Sequence, residues 1–376
     1  MRCRAEILIV GLLLLVAPSG AGAQSASRSK EPRWEVEIHG GGGFDRSSTD
    51  GRGALPPAGA SFTTIVGFPS RRASTWYFGD GAVLLNQINA SFSSTLLSGR
   101  VTPLDPVLQS AVARRGTGGS VGFRIGRTLT PRFGVEFTLD APQGHAKFTD
   151  TALAGIESTR ASFVGAWNER TGLVTSGAGI VFINPAIASV STIDDDRGRQ
   201  LFTSGALTIN LATRGRIVPY AAVGAGVVMK SGDLPRATLA GSYRFDSLGA
   251  LTGYFPVNET DTVTVRLVSA RQHPLTTVLG GGVRVFGSNR WGVRADVRAY
   301  ISKNTLDLLV DASPRVVVGT QPMGLIASTL VPSIQFSNFV GLDSTLSGAR
   351  IDGFKTFTSQ GTTVHATVSV GYFLRF

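Results

Sequence analysis

Eleven side chains concentrate the acid, base and charge chemistry of this 376-residue chain: Glu35, Glu37, Arg124, Glu136, Asp140, Arg284, Arg294, Asp296, Arg298, His365 and Arg375. Each occupies an alternate position in a stretch whose intervening positions are apolar or glycine. Ionised groups of opposite sign that face one interior must pair, because an unpaired buried charge is costly. Their chemistry is therefore either a closed plug of ion pairs or a narrow charged passage for small solutes. Catalysis would need a nucleophile or acid beside a histidine. The four histidines, His39, His145, His273 and His365, are far apart in sequence and stand in no such arrangement. His145 and His273 fall in long connections where they could approach one another, but a lone loop histidine is ordinarily a surface residue. Asp194-Asp195-Asp196 offers carboxylates to a divalent cation, or simply a solvated loop tip. There is no Walker loop, zinc-ligand spacing or dinucleotide fingerprint, so neither a cofactor nor a metal site is expected.

Successive strand side chains point to opposite faces, and eight segments carry this period of two. They are Trp34 to Phe44, Ser120 to Arg127, Arg132 to Ala141, Leu201 to Ala212, Arg216 to Met229, Thr276 to Phe286, Trp291 to Ile301 and Val364 to Phe376. In the seventh, Trp291, Val293, Ala295, Val297, Ala299 and Ile301 oppose Gly292, Arg294, Asp296, Arg298 and Tyr300. The fifth is apolar or glycine on both faces, so its phase stays open. The glycine runs Gly40 to Gly43 and Gly280 to Gly282 lie inside strands and read as bends or close backbone approach.

The eight segments are joined alternately by long (45–116, 142–199, 230–275, 302–363) and short (128–131, 213–215, 287–290) connections. Transmembrane barrels have an even number of antiparallel strands, short periplasmic turns and long extracellular loops. Eight strands with both termini in the periplasm put every short turn on one side. The long connections also carry structure. Ile156, Arg160, Phe163 and Trp167 recur at helical spacing, which predicts an amphipathic helix over Ala152 to Arg170 that docks on a partner or membrane surface, or plugs the barrel mouth. Pro103 to Arg115 is a second candidate helix. Val83 to Phe92, Leu173 to Ile183, Val263 to Val268 and Arg315 to Val318 look strand-like, either extending the wall above the membrane or raising the strand number to ten or twelve.

Both ends of the chain agree with export to a membrane. Arg2 and Arg4 precede an apolar run, Ile7 to Val16, and the small residues Ala21-Gly22-Ala23, so residues 1–23 read as a removed signal peptide and 24–32 as a short periplasmic segment. Removal takes Cys3, the only cysteine, and leaves a chain without thiols. The last strand, VHATVSVGYFLRF, sets Tyr372, Leu374 and Phe376 on its apolar face, and a tilted transmembrane strand needs about 9 to 11 residues. Forty-seven glycines and 16% charged residues fit a wall with one lipid-facing side, and the net charge of +11 comes from scattered arginines, not a nucleic-acid patch. Eight strands enclose room for side chains or one small ligand, whereas water-filled porins use 16 to 18.

An apolar final strand ending on an aromatic resembles the C-terminal assembly signal of bacterial outer-membrane β-barrel proteins, carried here by Tyr372, Leu374 and Phe376. The architecture of residues 33–376 resembles small barrels of the OmpA/OmpX kind with enlarged outer loops. That resemblance implies an all-β antiparallel transmembrane barrel with short helices in its extracellular loops. It also implies contact with outer-membrane lipid and lipopolysaccharide, and recognition of the last strand by the barrel-assembly machinery. No peptidoglycan-binding domain follows that strand, which argues against tethering to the cell wall. The functional expectation is a non-enzymatic barrel, structural or surface-binding through its loops. The alternative is transport of small or hydrophobic solutes, and a third reading is a surface enzyme acting on lipopolysaccharide. None of the histidines matches the sites of barrel enzymes that modify lipid A.

Overall fold

The computed structural model describes residues 33–58, 61–63, 69–91, 99–177, 180–194, 198–249, 253–269, 273–313, 315–318, 335–336 and 353–376. The leader and the segment to residue 32 lie outside these. The first half of the chain forms β1 (Trp34–Arg46), β2 (Gly51–Gly53), β3 (Ser61–Thr63), β4 (Pro69–Ala73), α1 (Gly79–Ser91), α2 (Asp105–Leu108), β5 (Ala113–Arg115), β6 (Gly118–Thr128), β7 (Phe133–Pro142), β8 (Ala146–Phe148) and α3 (Asp150–Gly177). The second half forms β9 (Ile180–Asp194), β10 (Arg199–Asn210), β11 (Ile217–Ser231), β12 (Arg236–Gly249), β13 (Gly253–Ser269), β14 (Leu275–Phe286), β15 (Trp291–Ala312), β16 (Arg315–Val318), β17 (Gln335–Phe336) and β18 (Phe354–Arg375).

Eight of these strands close on themselves in the order β1, β6, β7, β10, β11, β14, β15, β18 and back to β1, each antiparallel to its neighbours. They follow the eight alternating segments read from the sequence, with only Arg132, Leu211, Ala212, Arg216 and Phe376 falling just outside the strands. Closure is made by the chain ends: Trp34 N donates to Phe376 O and Phe376 N to Trp34 O, each at 3.0 Å. The period of two becomes a two-sided wall. Along β15, Val293 and Val297 face outward while Arg294, Asp296 and Arg298 are buried. The strand of open phase, β11, turns Val218, Tyr220 and Ala222 inward and leaves Ile217 and Val223 exposed. The continuous exposed apolar belt, from Ile38 and Phe123 to Val368 and Val370, is a surface that only lipid would cover. The strand glycines serve close approach: a Cβ on Gly41 would collide with the Val368 carbonyl, and one on Gly282 with that of Ala295.

The long connections are not featureless loops. β15 and β18, each 22 residues long, run on past the ring, and β13, β12 and β9 complete an upper wall in the order β2-β18-β15-β13-β12-β9. β9, β12 and β13 continue the columns of β10, β11 and β14. The strand-like segments at 263–268 and 315–318 thus extend the wall and add no membrane strands. Pro235 and Pro274, which have no N–H to give, mark where two columns are interrupted. The ladder is bridged there by Val228 N to Pro274 O (3.0 Å) and Leu267 N to Pro235 O (3.3 Å).

This wall carries its own apolar core. Leu239, Val263, Val265, Leu308 and Val310 pack with Ile156, Phe163 and Trp167 of α3 and with Trp76, Tyr77 and Leu104. Phe163 stacks on Tyr77 at 4.9 Å, and Trp167 meets Trp76 edge-on at 5.6 Å. The predicted amphipathic helix therefore turns its aromatic stripe into the cap.

Four expectations are corrected. Helices in the cap are not all short, since α3 has 28 residues. Of Val83 to Phe92, the described part, Val83 to Ser91, is helical within α1 instead of strand-like, because a short apolar run has no period that separates the two; Phe92 lies outside the described residues. Pro103 to Arg115 forms only the four-residue α2, begun at Asp105 with Pro106 in its first turn, before turning into β5; Leu104, Val107, Leu108 and Val112 are all buried. Leu173 to Ile183 divides between the end of α3 and the start of β9, with residues 178–179 outside the described residues.

Candidate functional site

The interior is filled from the turn end upward. Lowest lies Glu35, approached by Arg375 at 4.0 Å, by Arg284 at 3.7 Å and, more closely, by Arg294. Arg284 donates to Asn210 Oδ1 at 3.0 Å and lies over the Tyr220 ring. At mid-height, Arg294 Nη1 lies 3.1 Å from Glu37 Oε2 and donates to Glu136 Oε2 at 3.2 Å. Arg124 donates to Glu37 Oε1 at 2.8 Å and lies 3.6 Å from Asp296. Arg298 donates to Asp296 Oδ1 at 2.8 Å and also to Glu136, while the Tyr220 hydroxyl donates to Asp296. Such multiple, charge-assisted contacts offset the desolvation of buried ions.

The upper layer is built on histidines. His39 Nε2 lies 2.5 Å from Asp140 Oδ1, and the Tyr300 hydroxyl donates to the other oxygen of the same carboxylate. Gly122 makes room for this pair, since a Cβ there would strike both Asp140 Oδ1 and His39 Nε2. His365 Nδ1 lies 2.9 Å from Asp45 Oδ1, and its ring stacks on Phe202 with centroids 4.6 Å apart. Phe202 also packs on Tyr300 at 4.8 Å, closing the column above the ions.

All eleven charged positions named from the sequence lie in this interior, and Arg124, Arg294 and Arg298 are at most 2% exposed. Sequence reasoning missed Asp45, Phe202, Asn210 and Tyr220 as members. His39 and Tyr300 lie on the charged face that the alternation assigns them, beside Glu37 and Arg298, although neither was counted among the eleven. Tyr220 was hidden by the unphased strand. The outward residues Tyr372, Leu374 and Phe376 are half or more exposed, with Tyr372 stacked on Trp291.

Above the plug, where cap meets barrel, lies a cavity of about 50 Å³. One side is apolar (Val112, Leu267, Leu306, Leu308, Phe357) and the other presents Ser48, Ser110, Asn304, Ser359 and Thr363. Deeper in the cap, Asp261 is fully buried and accepts from Thr75 Oγ1 and Trp76 N, both at 2.6 Å, while its Oδ1 has no hydrogen-bond partner. Burial pushes its carboxyl up to about 7, against the pull of those two donors. His145 and His273 are exposed and share no hydrogen bond. Among the described residues no group of His, Cys, Asp and Glu could hold a metal ion, and Asp195 and Asp196 lie outside them.

No protein-family model matches this chain, and neither does any curated protein. Among solved structures it is similar to the crystal structure of the outer membrane protein OprG from Pseudomonas aeruginosa, at 10% identity over 92% of this chain and 98% of that one, with a TM-score of 0.35. It is also similar to the solid-state NMR structure of the outer membrane protein AlkL in DMPC bilayers, at 11% identity over 95% and 98% of the two chains, with a TM-score of 0.34. The OmpA/OmpX resemblance expected from the sequence is only approximate: the ring is a closed antiparallel barrel of eight strands. With an antiparallel ring closed by its own termini, a charged interior and an exposed apolar belt, the chain folds as a transmembrane β-barrel.

Proposed function

We propose that the protein takes up small, largely apolar solutes at its loop end, without catalysing a reaction on them. The carrying observation is that a lumen filled by buried ion pairs lies beneath a cavity with one apolar wall at the mouth. Ions and sugars have no path through the plug, whose central arginines are buried on every side. An apolar solute gains by leaving water for Val112, Leu306, Leu308 and Phe357, with hydroxyl groups opposite to orient a polar end. The cavity holds little more than a water or two as it stands, so such a solute enters as cap and barrel part slightly. Because the way down is closed, it leaves sideways into the bilayer.

In this reading the protein sits in the bacterial outer membrane with short turns and termini toward the periplasm and the cap outside, among lipopolysaccharide. Residues 1–23 direct export, and Tyr372, Leu374 and Phe376 are read by the assembly machinery. The solute reading is preferred to a purely structural barrel because a wall needs no cavity between two packed cores. The test is uptake of radiolabelled naphthalene by cells carrying the protein or its Ala111→Phe variant, which fills the cavity, together with conductance in planar bilayers. Faster uptake by the native chain, a return to background in the variant and no ion steps are expected. Uptake equal to that of cells lacking the protein would refute the proposal.

A further inference from the structure

The two ends of the barrel differ in the sign pattern of their charges. At the turn end stand Arg33 before β1, Arg127 at the end of β6, Arg132 ahead of β7, Arg214 and Arg216 between β10 and β11, and Arg290 ahead of β15. No aspartate or glutamate lies in those turns. The nearest acid, Glu35, faces the lumen and is held by Arg294. The loop end is mixed instead, with Lys355 on Asp307 at 2.8 Å and Arg114 on Asp150 at 3.0 Å. Arg33, Arg132, Arg214, Arg216 and Arg290 are exposed.

The same rim carries outward aromatic rings: Trp34, Phe133, Trp291, Tyr372 and Phe376. The Arg127 guanidinium lies over the Trp34 ring, 5.3 Å from its centroid. Rings of this kind settle at the headgroup level of a bilayer, so the arginines are set at the height of the lipid phosphates. Like charges fixed on one rim repel unless anions gather among them.

We propose that the turn-end rim is a binding surface for anionic phospholipid, whose phosphodiester, not offset by any headgroup cation, the arginine ring engages in preference to that of zwitterionic lipid. This rests on the membrane location given above and is independent of solute passage. An arginine engages a phosphate through a planar fork of donors, and one basic group close to an anionic membrane surface favours its lipid about fivefold.

The placement of tryptophan supplies the assay. The chain has four; Trp76 and Trp167 are buried in the cap at 2% and 6% exposure, so quenching from the bilayer reports Trp34 and Trp291. The protein is inserted into phosphatidylcholine vesicles doped with brominated phosphatidylglycerol or, at the same fraction, brominated phosphatidylcholine. Enrichment of the anionic lipid by about fivefold or more at the quenching sites is expected, falling as salt is raised. In the R132Q/R214Q/R216Q/R290Q variant, checked for folding by its heat-modifiable gel migration, the two lipids should quench alike, whereas the cap variants Arg52→Gln and Arg114→Gln should keep the preference. Equal quenching by both lipids in the native chain overturns the proposal, as does an undiminished preference in the folded quadruple variant.

Discussion

Arg294→Met tests whether the interior is a balanced network. Methionine keeps much of the arginine stem and removes the charge. In the native barrel the carboxylates of Glu35, Glu37, Glu136, Asp140 and Asp296 face the guanidinium groups of Arg124, Arg284, Arg294, Arg298 and Arg375. The substitution leaves five acids against four arginines, and it strips a contact from Glu35, Glu37 and Glu136 together. Each of the three retains another partner: Arg284 at 3.7 Å from Glu35, Arg124 at 2.8 Å from Glu37, and Arg298 on Glu136. Breaking a buried pair by removing one partner costs roughly 3 to 5 kcal/mol, and the surviving partners argue for the middle of that range, about 4 kcal/mol. With a urea slope of roughly 2 kcal/mol per molar, the unfolding midpoint in detergent micelles should fall by about 2 M. Adding Glu37→Gln removes one of the stranded charges, so the double variant should be less destabilised than the sum of the two single variants by about 1 to 3 kcal/mol. A single variant within about 1 kcal/mol of the native barrel, or strict additivity in the pair, would refute the network account.

Asp261 makes the cap sensitive to pH. Its carboxyl is raised from the ordinary 3.8 to about 7, so between those values the folded cap holds a proton that the unfolded chain has released. Stability therefore falls as pH rises through this window, by roughly 4 kcal/mol at full extent. Fluorescence of Trp76 and Trp167 in urea, in a chain with Trp34 and Trp291 replaced by Phe, should show the slope, and Asp261→Asn should flatten it. Gly122→Ala forces a methyl into the His39–Asp140 pair and should cost about 1 to 3 kcal/mol as overpacking does. A lower temperature for the heat-modifiable gel shift would register it, and an unchanged shift would mean that the pair yields freely.

The barrel was legible because its signal is local. A strand buried on one side must alternate, and that period fixes which side chains share a face before any partner is known. The ranges of the eight segments and the inward phase of Arg294, Asp296 and Arg298 follow from neighbours two residues apart. Loop parity then set the strand number. Where the period failed, legibility failed with it: β11 is small and apolar on both faces, so the inward turn of Tyr220 depends on the register of β11 with β10 and β14. The apolar run in α1 was too short to choose between helix and strand.

The partners of each charge were decided only in three dimensions. His39 meets Asp140 across 101 residues, and Arg294 meets Glu35 across 259. Pairing at that distance is set by ring closure and strand stagger, which a period of two does not encode. The cap was decided the same way, because the aromatic stripe of α3 suits a partner, a membrane or a mouth equally well. It packs inward because β13, β12 and β9 rise beyond the ring and offer Leu239, Val263 and Val265 to cover it. The sequence by itself determined that this chain forms strands with one lipid-facing and one charged face. The tertiary structure decided which charges pair, since only closure brings opposite signs from distant strands within reach of one another.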